Sequence, residues 1–194
     1  QPRPRIWITG SNDPDNVRKI AEEGHVFATF FQPYEKVKSL FDIYRRHYVG
    51  NGVPGGVAFM PLVCVADTEE EAMQGADEIA WYMRTKATPQ FKNPPGYVST
   101  DLNVQALRGT FTKASDNIRA QGLDYLRDQG VLVAGTPDQV KGQIEKFDSA
   151  MGGVGNLLLM FQGGDLGHAE TMDSMTLFGR EVLPQIGARQ AAVA

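Results

Sequence analysis

The chain has 194 residues, 42% of them apolar, enough to bury a sizeable core in one domain or a large part of one. Its 19 Lys and Arg against 23 Asp and Glu give a formal net charge of −4 with no run of like charge, so neither nucleic acid nor a membrane surface is an expected partner. The single cysteine, Cys64, excludes an intrachain disulfide and a thiolate metal cluster and fits a reducing compartment; in the apolar run Val63 to Ala66 it reads as a buried structural thiol.

The opening QPRPRIW does not resemble a signal peptide, and no apolar run approaches the roughly 20 residues of a membrane span. Pro2 and Pro4 favour extended backbone leading directly into a strand, which reads as the middle of a longer protein. Arg5 to Thr9 is the first expected strand. Pro14 to Glu23 comes next as a helix with Val17, Ile20 and Ala21 on one face and Gly24 ready to end it. The unit repeats with a strand from His25 to Phe31 and a helix presenting Val37, Leu40, Phe41, Tyr44 and Tyr48.

Gly56 to Ala66 is a longer strand-like run interrupted by Pro61. Thr68 and Glu71 then form a capping box for a helix with Met73, Ala76, Ala80 and Met83 in its stripe. Prolines 89, 94 and 95 with Gly96 forbid a long helix and predict an excursion from the scaffold. Order returns at Thr136, which with Gln139 caps a helix burying Val140, Ile144 and Phe147. NLLLMFQ, Asn156 to Gln162, is a short buried strand closed by Gly163 and Gly164, and a last helix from about His168 to Ile186 turns Met172, Met175, Phe178, Val182 and Leu183 inward. Four uniformly apolar strands, each followed by helical sequence, predict a parallel α/β sheet covered by helices: a small open sheet, or half of a (β/α)8 TIM-type barrel, whose intact form takes about 250 residues.

In both architectures ligands sit beyond the carboxyl ends of the strands, where WITGSNDPDN places its turn. Gly10 permits close backbone approach, Ser11 and Asn12 offer short polar side chains, and the helix after Asp13 presents unpaired N–H groups suited to a phosphate. The same residues also make an ordinary cap, with Asp13 at the N-cap and Pro14 at the first helical position, and the Asp13 charge competes with an anion.

The order PRIWITGSNDPDNVRKIAEEG, VCVADTEEEA, LVAGTPDQVKGQIEKFDSAMGGVGNLLLMFQGG and MTLFGREVLPQI resembles the C-terminal half of the bacterial luciferase-like flavin-dependent monooxygenases. The resemblance implies that residues 1–194 supply strands five to eight of one such barrel: Arg5 to Thr9, His25 to Phe31, Gly56 to Ala66 and Asn156 to Gln162. A helical insertion over about 86–134, including NPPGYVS, precedes the last βα unit. It implies reduced FMN, or deazaflavin (coenzyme F420) in one branch, with its phosphate held by Ser11 and Asn12 and the backbone of Asp15 and Asn16; Gly10 lets backbone approach the ligand, and Phe161, Gln162 and Gly163 at the eighth strand's end either line the ring-shaped cofactor or belong to ordinary barrel packing. SNDPDN stands where the family commonly has a serine- and threonine-rich turn.

The implied reaction inserts one oxygen atom from O2 into a small organic substrate. A flavin reductase supplies electrons, the N-terminal half completes the barrel, and the protein is a cytoplasmic homo-oligomer such as a dimer. This fragment alone would be inactive. The alternatives are deazaflavin-dependent hydride transfer and a non-catalytic flavin-binding or structural half-barrel. No protein nucleophile is required and no catalytic residue is assigned.

Of the histidines, His25 lies on the opposite rim and reads as scaffold, His47 suits a helix C-terminus, and His168, after GGDLG, lies on the functional rim. Phe30, Phe31 and Gln32 are further rim candidates, and Gly135, Thr136 and Pro137 open a second helix there. No His or carboxylate spacing suggests a metal.

Overall fold

The structure, a computed structural model, describes residues 4–10, 13–50, 56–86 (backbone only from 82) and 121–186. In chain order these form β1 (Trp7–Thr9), α1 (Pro14–Glu22), β2 (Val26–Phe30), α2 (Tyr34–His47), β3 (Val57–Met60), β4 (Leu62–Val65), α3 (Glu69–Lys86), α4 (Leu123–Asp128), β5 (Leu132–Gly135), α5 (Pro137–Met151), β6 (Asn156–Leu157) and α6 (His168–Leu177). The last runs into a π-helical turn, Phe178–Val182. The expected excursion at Pro89 to Gly96 lies outside the described residues.

Local chemistry accounts for the helix ends. Asp13 caps α1 and Pro14 occupies its first turn; Thr136 and Gln139 form the capping box of α5; Thr68 and Glu71 bond reciprocally at the start of α3. The faces that periodicity singles out in α1 and α2 meet each other and Phe147 of α5, while Val140 and Ile144 of α5 pack with Val63, Val65 and Val133. Val17, Ile20, Leu40, Phe41 and Phe147 pack over Phe27 of β2 and Phe59 of β3. Burying side chains of that size contributes about 1.5–3 kcal/mol each relative to exposure, so this cluster ties the helices to one face of the sheet. On the other face Val26, Ala28 and Ala58 form a separate small cluster, and at the edge strand Trp7 remains 38% exposed.

All strand pairs are parallel. β1, β2, β3 and β6 form one sheet in that order, and β4 pairs with β5. β3 and β4 are the single apolar run expected from Gly56 to Ala66, divided at Pro61. Along one edge of that run the 156–160 segment stays in place: Leu158 N–H donates to Phe59 O (2.9 Å), Met160 N–H to Pro61 O (3.1 Å) and Val63 N–H to Met160 O (2.9 Å). Along the other edge the partner changes. β2 ends at Phe30, opposite Met60, and Leu62 N–H donates instead to Val131 O (2.9 Å) as β5 begins. Pro61 has no N–H to give at the junction, which makes it a natural place for the exchange.

Three expectations are corrected. Regular structure returns before Thr136, with α4 over Leu123–Asp128 and buried β5 over Leu132–Gly135, whose apolar character is hidden in a run of only four residues ended by glycine. NLLLMFQ forms only the two-residue β6 and a single bridge from Met160 to Leu62. The last helix turns Phe178 and Val182 inward, but Met172 and Met175 are each 46% exposed and Leu183 52%. Its buried positions include two hydroxyls instead: Thr171 donates to Gly167 O, and Ser174 Oγ accepts from Val65 N–H at 2.7 Å. The π turn adds a residue to the helical repeat, so a face projected at regular spacing fails beyond it.

Candidate functional site

Parallel pairing brings the carboxyl ends of β1, β2 and β3 to one rim. Gly10 N–H extends the β1–β2 ladder by donating to Ala28 O at 3.2 Å, while its φ of 81° turns the chain in a conformation that costs glycine little. A Cβ on Gly10 would lie 3.8 Å from Cε1 of Phe30, so the Phe30 ring stands beside the bare backbone.

Phe31 is the one non-glycine residue with positive φ, 52°, among those described. Holding an aromatic residue in this left-handed region costs about 1–2 kcal/mol. In a strand, successive side chains point to opposite faces; the left-handed turn at Phe31 instead brings its ring to the same side as Phe30, with centroids 5.3 Å apart and planes at 87°. Phe31 is buried with Leu62, Ile79, Val131 and Leu132, in the fork where β2 leaves and β5 enters. Phe30 and Met60 pack at the border of that cluster and stay half-buried. Gln32, also half-buried, leads to Pro33 and α2.

At the start of α1, Asp15 and Asn16 are exposed. The Asp13 carboxylate accepts from Asp15 N–H (3.2 Å), and Arg18 lies 3.4 Å from Asp15. That carboxylate occupies part of the position a phosphate would take and adds a negative charge there. Ser11 and Asn12 lie outside the described residues.

The third group of candidates divides. Phe161 is buried edge-on against Phe178 at 5.4 Å, beside Val63, Val65 and Val133, and so packs the core beneath α6. Gln162 is exposed. A Cβ on Gly163 would lie 3.3 Å from Met160 Cε and 3.4 Å from Ile79 Cγ2, so its bare backbone lets this loop sit against α3. Only Gly10 of the expected cofactor residues is brought against an aromatic rim side chain among those described.

The histidines stand apart from that rim contact. His25 lies at the amino end of β2, 3.4 Å from Glu23; His47 ends α2, 3.9 Å from Glu22; His168 is exposed in the first turn of α6. Among the described residues no group of three His, Cys, Asp or Glu is placed to hold a metal ion. No helix among them is long and apolar enough to cross a membrane.

Two features escape sequence reasoning. One is the left-handed Phe31, because nothing in FFQP demands a positive φ at an aromatic residue. The other is a cleft of about 570 Å³ between α3 and α6 beyond β4, lined by Cys64, Glu71, Glu78, Asp173 and Arg180 among others. Its carboxylates outnumber its cation, which disfavours an anionic ligand. Burial holds the Cys64 thiol above its ordinary pKa, against a hydrogen bond to Ser174 that lowers it, so the thiol is not an activated nucleophile.

The solved structures to which the chain is similar include monooxygenase RslO1 from Streptomyces bottropensis, at 19% identity and a TM-score of 0.64 over 94% of this chain and 48% of that one. They also include the oxygenating constituent of 3,6-diketocamphane monooxygenase from Pseudomonas putida, in complex with FMN, at 22% identity and a TM-score of 0.66 over 93% and 48%. A third is the coenzyme F420-dependent tetrahydromethanopterin reductase from Methanopyrus kandleri, at 16% identity and a TM-score of 0.54 over 93% and 50%. The chain thus spans about half the length of these structures, and likeness at such identities concerns the fold. No curated protein matches the sequence. The family model for luciferase-like monooxygenases matches residues 1–152, and the chain belongs to that family.

Proposed function

We propose that this chain is the C-terminal half of a single luciferase-like barrel, with β1, β2, the β3–β4 run and β6 as strands five to eight and an insertion over about 86–134, and that the complete protein is an FMN-dependent monooxygenase. Its half-barrel character is supported by the edge at β1, which pairs with β2 alone among the described strands and leaves Trp7, and Ile6 just before it, exposed. The observation that carries the ligand site is the rim contact of Gly10 with Phe30, beside the point where β2 and β5 exchange partners. Crevices at the carboxyl ends of parallel strands, where neighbouring strands diverge, are where α/β folds bind ligands.

These residues fit the ring system of a flavin: a flat apolar wall from Phe30 and backbone that a ligand can approach at Gly10. The proposed phosphate contacts fall to Ser11 and Asn12, with the backbone of Asp15 and Asn16 at the helix start, and Gln162 is proposed beside the ring system. Reduced FMN, when bound, supplies the electrons for inserting one atom of O2 into a small organic substrate. The chain orients the ring, and its aromatic rim excludes water from it. A flavin reductase and a second copy are its proposed partners.

The match to a coenzyme F420-dependent reductase favours one second reading, hydride transfer without oxygen. Oxygen uptake by the complete polypeptide separates the two. Consumption of O2 dependent on reduced FMN and substrate supports the monooxygenase. Substrate-dependent reduction of F420 with no O2 uptake supports hydride transfer, and neither activity leaves a structural or flavin-carrying half-barrel. Ser11→Ala with Asn12→Ala should weaken FMN binding by about 1–3 kcal/mol if both bonds are charge-assisted.

A further inference from the structure

We propose that Phe31 is a positioning residue: its left-handed backbone sets the Phe30 ring against Gly10 as the wall on which the planar part of the ligand rests. The inference deepens the reading that a flavin binds at this rim and rests on it.

Side-chain direction is decisive. Were Phe31 extended, its ring would leave the sheet on the face opposite Phe30, and the two could not meet. At φ 52° they meet edge to face, the arrangement that aromatic quadrupoles favour, and Phe30 is braced from behind. The brace is itself fixed. Phe31 is buried among Leu62, Ile79 and Leu132, side chains from β4, α3 and β5, so its ring cannot swing away without opening the fork. Phe30, by contrast, is half-buried at the border of that cluster, and a Cβ on Gly10 would stand at ordinary van der Waals distance from its ring. One ring is locked and the other is presented. Strain of this kind persists only where surrounding packing holds it, and it clusters at ligand sites. Glycine would meet the backbone requirement without strain but would provide no brace.

The test uses the complete flavoprotein and three variants: Phe30→Leu, Phe31→Gly and the double variant. FMN and riboflavin binding and the visible spectrum of the bound flavin are read for each. Phe31→Gly keeps an unstrained left-handed backbone. It should weaken both ligands by about three- to tenfold, the scale of one aromatic contact, and alter the flavin spectrum as Phe30→Leu does. The double variant should be no worse than Phe30→Leu alone, because Phe31 acts through that ring. Wild-type affinity and spectrum in Phe31→Gly, or additive losses in the double variant, overturn the proposal while flavin binding stands. Should Phe31→Gly fail to fold, Phe31→Asn, which tolerates the same backbone, takes its place under the same criteria. If the wild type binds neither FMN, riboflavin nor F420, the underlying reading fails instead, and the two failures are distinguishable.

Discussion

The side chain of Gln143 bonds to both backbone groups of Ala134: its Oε1 accepts from the Ala134 N–H at 3.2 Å and its Nε2 donates to the Ala134 carbonyl at 2.8 Å. β5 pairs with β4 on one side only, and the amide of Gln143, two turns into α5, takes the place of a neighbouring strand on the other. Gln143→Leu leaves both backbone groups of the buried residue Ala134 unpaired. We expect a loss of about 1–3 kcal/mol in urea denaturation, and a change below about 0.5 kcal/mol would show that water replaces the amide.

Gly75 lies against Cys64. A Cβ at Gly75 would stand 2.7 Å from the buried Cys64 sulfur, closer than real contacts allow. Alanine is the better helix former by roughly 1 kcal/mol, so propensity and packing oppose each other, and packing should win. Gly75→Ala is expected to destabilise by about 1–3 kcal/mol, and Cys64→Ala introduced with it should recover much of that loss. Equal effects of Gly75→Ala with and without the sulfur would remove the clash as the cause.

The hydroxyl of Thr29 is buried in β2 with no hydrogen-bond partner among the described residues. Valine has nearly the same shape without the stranded polar atom. Thr29→Val should therefore be neutral or stabilising by up to about 1 kcal/mol, read as a rise in the denaturation midpoint at unchanged slope. A clear loss would reveal a partner for the hydroxyl.

Glu69 accepts from Arg127 (2.6 Å) and Gln139 (2.9 Å), joining the starts of α3 and α5 to α4. The bond from Arg127, then that from Gln139, hold its carboxyl below the ordinary value of 4.5. Because the folded pKa is depressed, the stabilisation is present above the unfolded value and is lost as pH falls through the folded one. The melting temperatures of wild type and Glu69→Gln should differ at neutral pH and converge as pH falls below the ordinary carboxylate range and the carboxyl takes up its proton. A difference that does not shrink with acidification would contradict the ionic origin.

Much of the scaffold is legible because burial in α1, α2 and α5 is set by apolar side chains at helical spacing. Val17, Ile20, Leu40, Phe41, Val140, Ile144 and Phe147 are buried where the pattern puts them. The pattern fails where packing is not apolar or the repeat is not regular. In α6, Thr171 and Ser174 take the inward positions, Ser174 through its bond to Val65, and leave Met172 and Met175 outside, while the π turn rotates Leu183 beyond it out of the face. The exchange of strand partners at Pro61 is likewise invisible, since a single apolar run can pair with two different neighbours in succession. Of the site, the Gly10 turn is readable from the punctuation of WITGSNDPDN. The opposing arrangement of Phe30 and Phe31 depends on a backbone angle that the β5 and α3 packing imposes, and no local signal carries it.

The central claim is that a flavin mononucleotide binds at the carboxyl-end rim beside Gly10. Its most direct test is an anaerobic titration of the complete polypeptide with reduced FMN, using riboflavin as the phosphate-free comparison. We predict saturable binding of both, with FMN at least about tenfold tighter, the equivalent of about 1.4 kcal/mol from the phosphate contacts. Equal or absent binding would contradict the claim, and the WITGSNDPDN turn would then be no more than a helix cap.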